Sequence, residues 1–146
     1  MNHIAITVSR FNQLITENLL NACLDVLKDQ SPVISSPFVA WVPGAYELPF
    51  AAQSLARSKK YSAIISLGAV IKGETPHFDY ICEQTAAGLM RVSLDEKLPV
   101  IFGVLTTNTL EEAKARSSEP LGNKGTDAAL CALEMLDFLK NTASGN

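Results

Sequence analysis

His77 is one of two histidines in the chain, and it follows Thr75 and Pro76 directly in the stretch GAVIKGETPHFDY, residues 68–80. Threonine is a good helix cap, and proline suits the first helical position because its missing N–H would find no partner there. The spacing therefore predicts a helix capped by Thr75 with His77 in its first turn. A helix start preceded by Gly73 offers backbone N–H groups to an anion, and an imidazole takes or gives a proton near pH 7. The chemistry this predicts is acid–base catalysis beside a phosphate. The competing reading is structural: Thr75-Pro76 merely starts a helix and His77 packs half-buried. Spacing alone leaves the two readings evenly matched.

Other candidates are weaker singly. Arg116 and Lys124 bound a polar interruption and, taken alone, read as solvated charges; Glu47, just after Pro43-Gly44, reads as the complement to a helix start. Phe11, directly before Asn12, reads more readily as core than as a stacking platform, and Asp79 as a surface charge. The sequence holds no GxxxxGK[ST], GxGxxG, HExxH or GxSxG, which removes the commonest nucleotide, zinc and hydrolase readings.

The elements that must carry these residues alternate. Residues 3–8 form a first apolar strand, and 14–30 a helix with Leu20, Cys23, Leu24 and Leu27 at helical spacing. Residues 38–42 are a second strand, stopped by Pro43-Gly44, before a helix over 47–58. A third strand over 62–71 is apolar on both faces, as a central parallel strand should be, and a helix over 77–96 follows. A strand over 99–106, a short helix over 110–116, the segment SSEPLGNKG and a final helix from about 126 to 140 complete the chain. This alternation predicts a parallel sheet covered on both faces, with ligands beyond the carboxyl ends of the strands. The final helix is apolar nearly all round, so it should be buried on a second side, most simply by another copy.

Composition narrows the function. The 146 residues make one domain, 1–146, able to bury about two-thirds of its unfolded surface. With 12 Lys and Arg against 15 Asp and Glu, the net charge of -3 and the lack of a basic block argue against nucleic acid. The longest apolar run falls short of the roughly 20 residues a bilayer span needs, and the N-terminus does not resemble a leader, so neither membrane nor export is expected. Cys23, Cys82 and Cys131 form no CxxC pair and sit among apolar residues, which predicts reduced thiols in a core and a cytoplasmic location. Hydrophobic residues at 47% with only 18% charged, against about a quarter charged in typical domains, predict self-association.

Taken together, RFN at 10–12, VPGAYELP at 42–49, GAVIKGETPHFDY at 68–80, FGVLTT at 102–107 and GNKG at 122–125 resemble the lumazine synthase family, over nearly the whole chain and in order. The resemblance implies a flavodoxin-like three-layer α/β/α sandwich around a four-stranded parallel sheet. It implies condensation of 5-amino-6-ribitylamino-pyrimidinedione with dihydroxybutanone phosphate to dimethyl-ribityllumazine, phosphate and water, in riboflavin biosynthesis, with no metal or organic cofactor. Carried over by position, Phe11 would stack on the pyrimidine with Asn12 beside it, Ala45, Tyr46 and Glu47 would hold the ribityl chain, and the backbone of Ala69, Val70 and Ile71 would meet the pyrimidine edge. Glu74, through its N–H, and Thr75 would hold the phosphate with Arg116 as charged partner; His77 and Lys124 would be catalytic; Phe102 would line the pocket. Arg116, Lys124 and Phe102 would come from the adjacent copy of a homopentamer. For a sixty-subunit icosahedral shell the signs conflict: the first strand begins almost at Met1, which speaks against it, and the SSEPLGNKG connection is short, which speaks for it. Riboflavin synthase is a further partner the resemblance admits. The alternative is a non-catalytic lumazine- or flavin-binding or shell-forming relative with a retained pocket.

Overall fold

The computed structural model describes residues 2–30, 33–118 and 122–143. Its centre is a four-stranded, wholly parallel sheet in the order β2-β1-β3-β4, made of β1 (Ile4–Ser9), β2 (Phe38–Val42), β3 (Ala63–Ile71) and β4 (Val100–Thr107). All of β1 and Ala63–Ala69 of β3 are buried. Continuous apolar runs of this kind belong in the middle of a parallel sheet, where both faces are covered.

Alternation along the strands sorts the side chains into two cores. Ile4, Ile6 and Val8 of β1 and Ile65, Leu67 and Ala69 of β3 pack against α1 (Gln13–Lys28) and α5 (Lys124–Ala143), through Leu19, Cys23, Leu27, Ala128, Ala132 and Leu136. On the other face Ala5, Ile64 and Val104 meet Leu48, Ala52 and Ala56 of α2 (Leu48–Arg57) and Leu89 and Val92 of α3 (His77–Glu96). Each fully buried Val, Leu or Ile side chain stabilises this arrangement by about 1.5–3 kcal/mol of transfer free energy. The result is the expected three-layer sandwich. Among the described residues, no helix is long and apolar enough to cross a membrane.

Two helix starts differ from expectation. α3 begins at His77 with Pro76, not Thr75, as its cap. Pro76 lies at φ -69 and ψ 2, outside the helix, and its carbonyl accepts the N–H of Asp79 at 3.0 Å. Thr75 Oγ1 still accepts the His77 N–H, at a long 3.4 Å. α5 starts at Lys124, earlier than the pattern indicates, because Asn123 Oδ1 accepts the Gly125 N–H at 2.7 Å and so caps it. Gly125 resembles a helix breaker in sequence. In the fold it is the point where α5 crosses α1, and a Cβ there would collide with the Leu19 carbonyl.

The cysteines do not all pack in the core. Cys23 is buried, Cys82 is half-buried and Cys131 is exposed on the outer side of α5. That outer side also presents Leu130, Phe138 and Leu139. A helix apolar nearly all round does not announce which of its faces turns inward; the small residues Gly125, Ala128, Ala129 and Ala132 turn inward here.

Candidate active site

Strand order reverses between β1 and β3: the connection from β1 leads outward to β2, and the next returns to β1's other side. The crevice at the carboxyl ends of these two strands is where an open α/β sheet binds its ligand. A cleft of about 740 Å³ lies there, within the size range of small-molecule sites.

Three post-strand segments build it. After β1, Arg10 N–H donates to the Val42 carbonyl at 2.8 Å and Phe11 N–H to the Pro43 carbonyl at 3.0 Å, which draws the loop against the exit of β2. Phe11 itself is 73% exposed over the cleft, so the core reading of this residue is wrong. After β2, Pro43-Gly44 leads into a 3-10 turn, Ala45–Glu47, that presents Tyr46 and Glu47 to the cleft before α2 begins. The Glu47 carboxylate folds back over Gly44, where a Cβ would lie 3.5 Å from its Oε1. The end of β3, Ala69, Val70 and Ile71, then forms the back wall, and Gly73, Thr75, His77, Phe78 and Ile81 close the far side. His77 is exposed to the cleft, which excludes the packed-histidine reading.

The remaining candidates lie elsewhere in the chain. Glu74 is exposed and outside the cleft wall, as is Asp79. Asn12 stands behind the wall, its Nδ2 donating to the Ala69 carbonyl at 2.9 Å. Phe102 projects, 36% exposed, from β4 at the sheet edge. Arg116 and Lys124 line a second, smaller cleft of about 340 Å³ at the end of β4, with Thr106, Thr107 and Asp127. One chain therefore brings together Phe11, Ala45, Tyr46, Glu47, Ala69, Val70, Ile71, Thr75 and His77, and holds the two cations apart from them.

The two cations are nevertheless positioned as a pair. Thr109 Oγ1 caps α4 (Leu110–Arg116) by accepting the Glu112 N–H at 3.1 Å, which sets Arg116 at the helix end. Immediately beyond, Ser117 and Asn123 form an isolated antiparallel bridge, and Asn123 Nδ2 donates to the Ser117 carbonyl at 2.8 Å. Arg116 and Lys124 are the outer neighbours of that bridge. Sequence reasoning gave Asn123 no role. It also gave no site role to Phe78, in the first turn of α3 with His77, to Ile81, one turn beyond His77, or to Asp127, one turn beyond Lys124. Among the described residues, no three His, Cys, Asp or Glu side chains come together as metal ligands.

A family model described as 6,7-dimethyl-8-ribityllumazine synthase matches residues 2–140. The chain belongs to this family. A curated relative named 6,7-dimethyl-8-ribityllumazine synthase, from Protochlamydia amoebophila (strain UWE25), is 52% identical over 135 residues, which are 92% of this chain and 78% of the relative. The matched span takes in both clefts: Phe11 and His77 of the larger and Arg116 and Lys124 of the smaller all fall within it.

Proposed function

We propose that this chain is a 6,7-dimethyl-8-ribityllumazine synthase that joins a ribitylamino-pyrimidinedione to dihydroxybutanone phosphate. The observation that carries the reading is the convergence, in a member of this family, of an exposed aromatic, a carboxylate, a strand-end backbone and a histidine on one cleft at the switch point. Phe11 offers its face to the pyrimidine ring, the backbone at Ala69–Ile71 pairs with the ring's polar edge, and Glu47 receives hydroxyls of the ribityl chain. Thr75 and the start of α3 lie on the phosphate side.

The reaction runs from the pyrimidine amine attacking the ketone, with loss of water, to an imine. Loss of the phosphate follows by elimination, and ring closure by the ribityl-bearing nitrogen releases a second water. His77 moves the protons these steps require, a role typically worth about 10²–10⁴-fold. Alignment of two substrates contributes further, because it turns a bimolecular condensation into a reaction between held partners.

Among the described residues, no Lys or Arg side chain lines the cleft of one chain, and a cationic side chain would add a strong charge-assisted contact to a phosphate dianion. Arg116 and Lys124 of a neighbouring copy supply it, in a homopentamer whose sites lie between copies. The exposed apolar side chains Tyr80, Met90 and Leu94 of α3 and Phe50 of α2 give such a contact its surface, and a cytoplasmic location accords with the substrates. The test is direct: purified protein mixed with both substrates should generate the absorbance of the lumazine. Binding of either substrate without turnover would mark a carrier instead.

A further inference from the structure

We propose that Asn12 is a positioning residue: from the switch point it holds the Phe11 ring and the Ala69–Ile71 backbone in a fixed relation, and so sets pyrimidine affinity without touching the substrate. The inference rests on the functional reading above and goes beyond it.

The parallel ladder between β1 and β3 runs only to Val8 and Leu67. Past that point, among the described residues, β3 continues to Ile71 paired with β4 alone, so the side of Ala69–Ile71 facing the crevice has lost its strand partner. Asn12 replaces it. Behind the cleft wall its Nδ2 donates to the Ala69 carbonyl at 2.9 Å, a bond between residues 57 apart in sequence.

The backbone of Asn12 is left-handed, at φ 62 and ψ 47, a region that asparagine tolerates better than other residues with a side chain. Its carbonyl accepts the N–H groups of Ile15 at 2.9 Å and Thr16 at 3.1 Å, which starts α1. Phe11 is thereby held between the Pro43 carbonyl on one side and this turn on the other. Because Phe11 is 73% exposed, packing does little to hold it, and its hydrogen-bonded backbone sets where the ring projects. Among the described residues, Asn12 is the side chain that ties this backbone to the Ala69 end of β3.

Three variants separate the two properties. Asn12→Gly keeps the left-handed turn and deletes the amide; Asn12→Asp keeps the turn and faces the Ala69 carbonyl with an acceptor; Asn12→Ala loses both. Steady-state kinetics on the whole chain should show Asn12→Gly raising KM for the pyrimidine about fivefold, the factor to which one hydrogen bond's typical net worth amounts. KM for the phosphate substrate should stay within about twofold, and kcat should fall less than pyrimidine KM rises, as expected for lost ground-state positioning. Asn12→Asp should be as weak or weaker, and Asn12→Ala the weakest. In a Phe11→Ala background the effect of Asn12→Gly should shrink, since coupled residues are not additive.

An Asn12→Gly enzyme with wild-type pyrimidine KM overturns the proposal, even if its melting temperature falls. So does an undiminished effect in the Phe11→Ala background, which would make Asn12 an independent substrate contact. A wild-type protein inert towards both substrates would instead remove the enzymatic reading and this inference together.

Discussion

Gly125→Ala adds one methyl group, and the fold has no room for it. The methyl carbon would meet the Leu19 carbonyl, with the carbonyl carbon at 2.7 Å and Leu19 Cα at 2.9 Å. Carbon atoms rest at about 3.5–4.0 Å, so the two helices must separate by about 1 Å. The obstacle is backbone in mid-helix, not the tip of a flexible side chain, which places the cost at or above the upper end of the overpacking range, about 3 kcal/mol. For a chain of this length each kcal/mol lowers the midpoint by about 2–4 °C, so melting should fall by about 6–12 °C. Lys124 precedes the displaced residue and Asn123 caps it, so phosphate-substrate KM should rise in the folded variant as well. Gly73→Ala is the control, because a Cβ there meets nothing within 4 Å. Circular dichroism melts of the two variants beside the wild type decide the matter. A Gly125→Ala midpoint at or above that of the wild type would refute the steric argument.

Arg116→Ala should raise KM for the phosphate substrate about 10–100-fold while leaving pyrimidine KM near wild type, as deletion of a charge-assisted contact does; equal losses for both substrates would argue that the change disturbs the fold. Burial pushes the Cys23 thiol from its ordinary 9.0 up to about 12, leaving about one molecule in ten thousand as thiolate at pH 8. Native protein should therefore leave Cys23 unalkylated and release it on denaturation, as mass spectrometry of labelled peptides would reveal. The folded state holds this proton more tightly than the unfolded one, so the contribution is whole below pH 9.0 and is lost as the pH climbs towards 12. Denaturant midpoints should consequently fall more steeply across that window in the wild type than in Cys23→Ala.

Legibility in the sequence followed the physics of each signal. The strands and most helix bounds were visible because buried parallel strands are continuous apolar runs and Pro43-Gly44 and Pro76 punctuate them. His77 could not be told from a packing residue, since exposure depends on the neighbouring Pro43–Glu47 loop, which sequence spacing does not locate in space. The start of α5 was hidden because Gly125 reads as a breaker when considered locally, whereas its reason for being glycine is the carbonyl of Leu19, far away in the chain. The position of Cys131 failed similarly, as pattern cannot orient a helix that is apolar on every side. Asn12 carried a resemblance-based role in binding. Its left-handed turn and its bond to Ala69 belong to a long-range contact that no local pattern encodes.

The division of polar groups between the two clefts leads to a quantitative test of shared sites. His77 faces the larger cleft and Arg116 the smaller, so if one copy's small cleft completes the next copy's large one, the contact is heterologous and closes into a ring. His77→Ala protomers lack the proton carrier and Arg116→Ala protomers lack the charge, and each should be slow by itself. In rings assembled from equal amounts of both, a site is intact wherever a protomer with His77 meets a neighbour with Arg116, which random mixing produces at about one quarter of interfaces. Another quarter or so lack both groups, and the rest lack one. Co-expression with two affinity tags and tandem purification isolates such rings. Their activity should rise to about one quarter of the wild-type value, well above the mean of the parent variants. Activity that stays at that mean would show that Arg116 serves the cleft of its own chain, or no cleft at all, and would dissolve the argument that the phosphate is neutralised from a neighbouring copy.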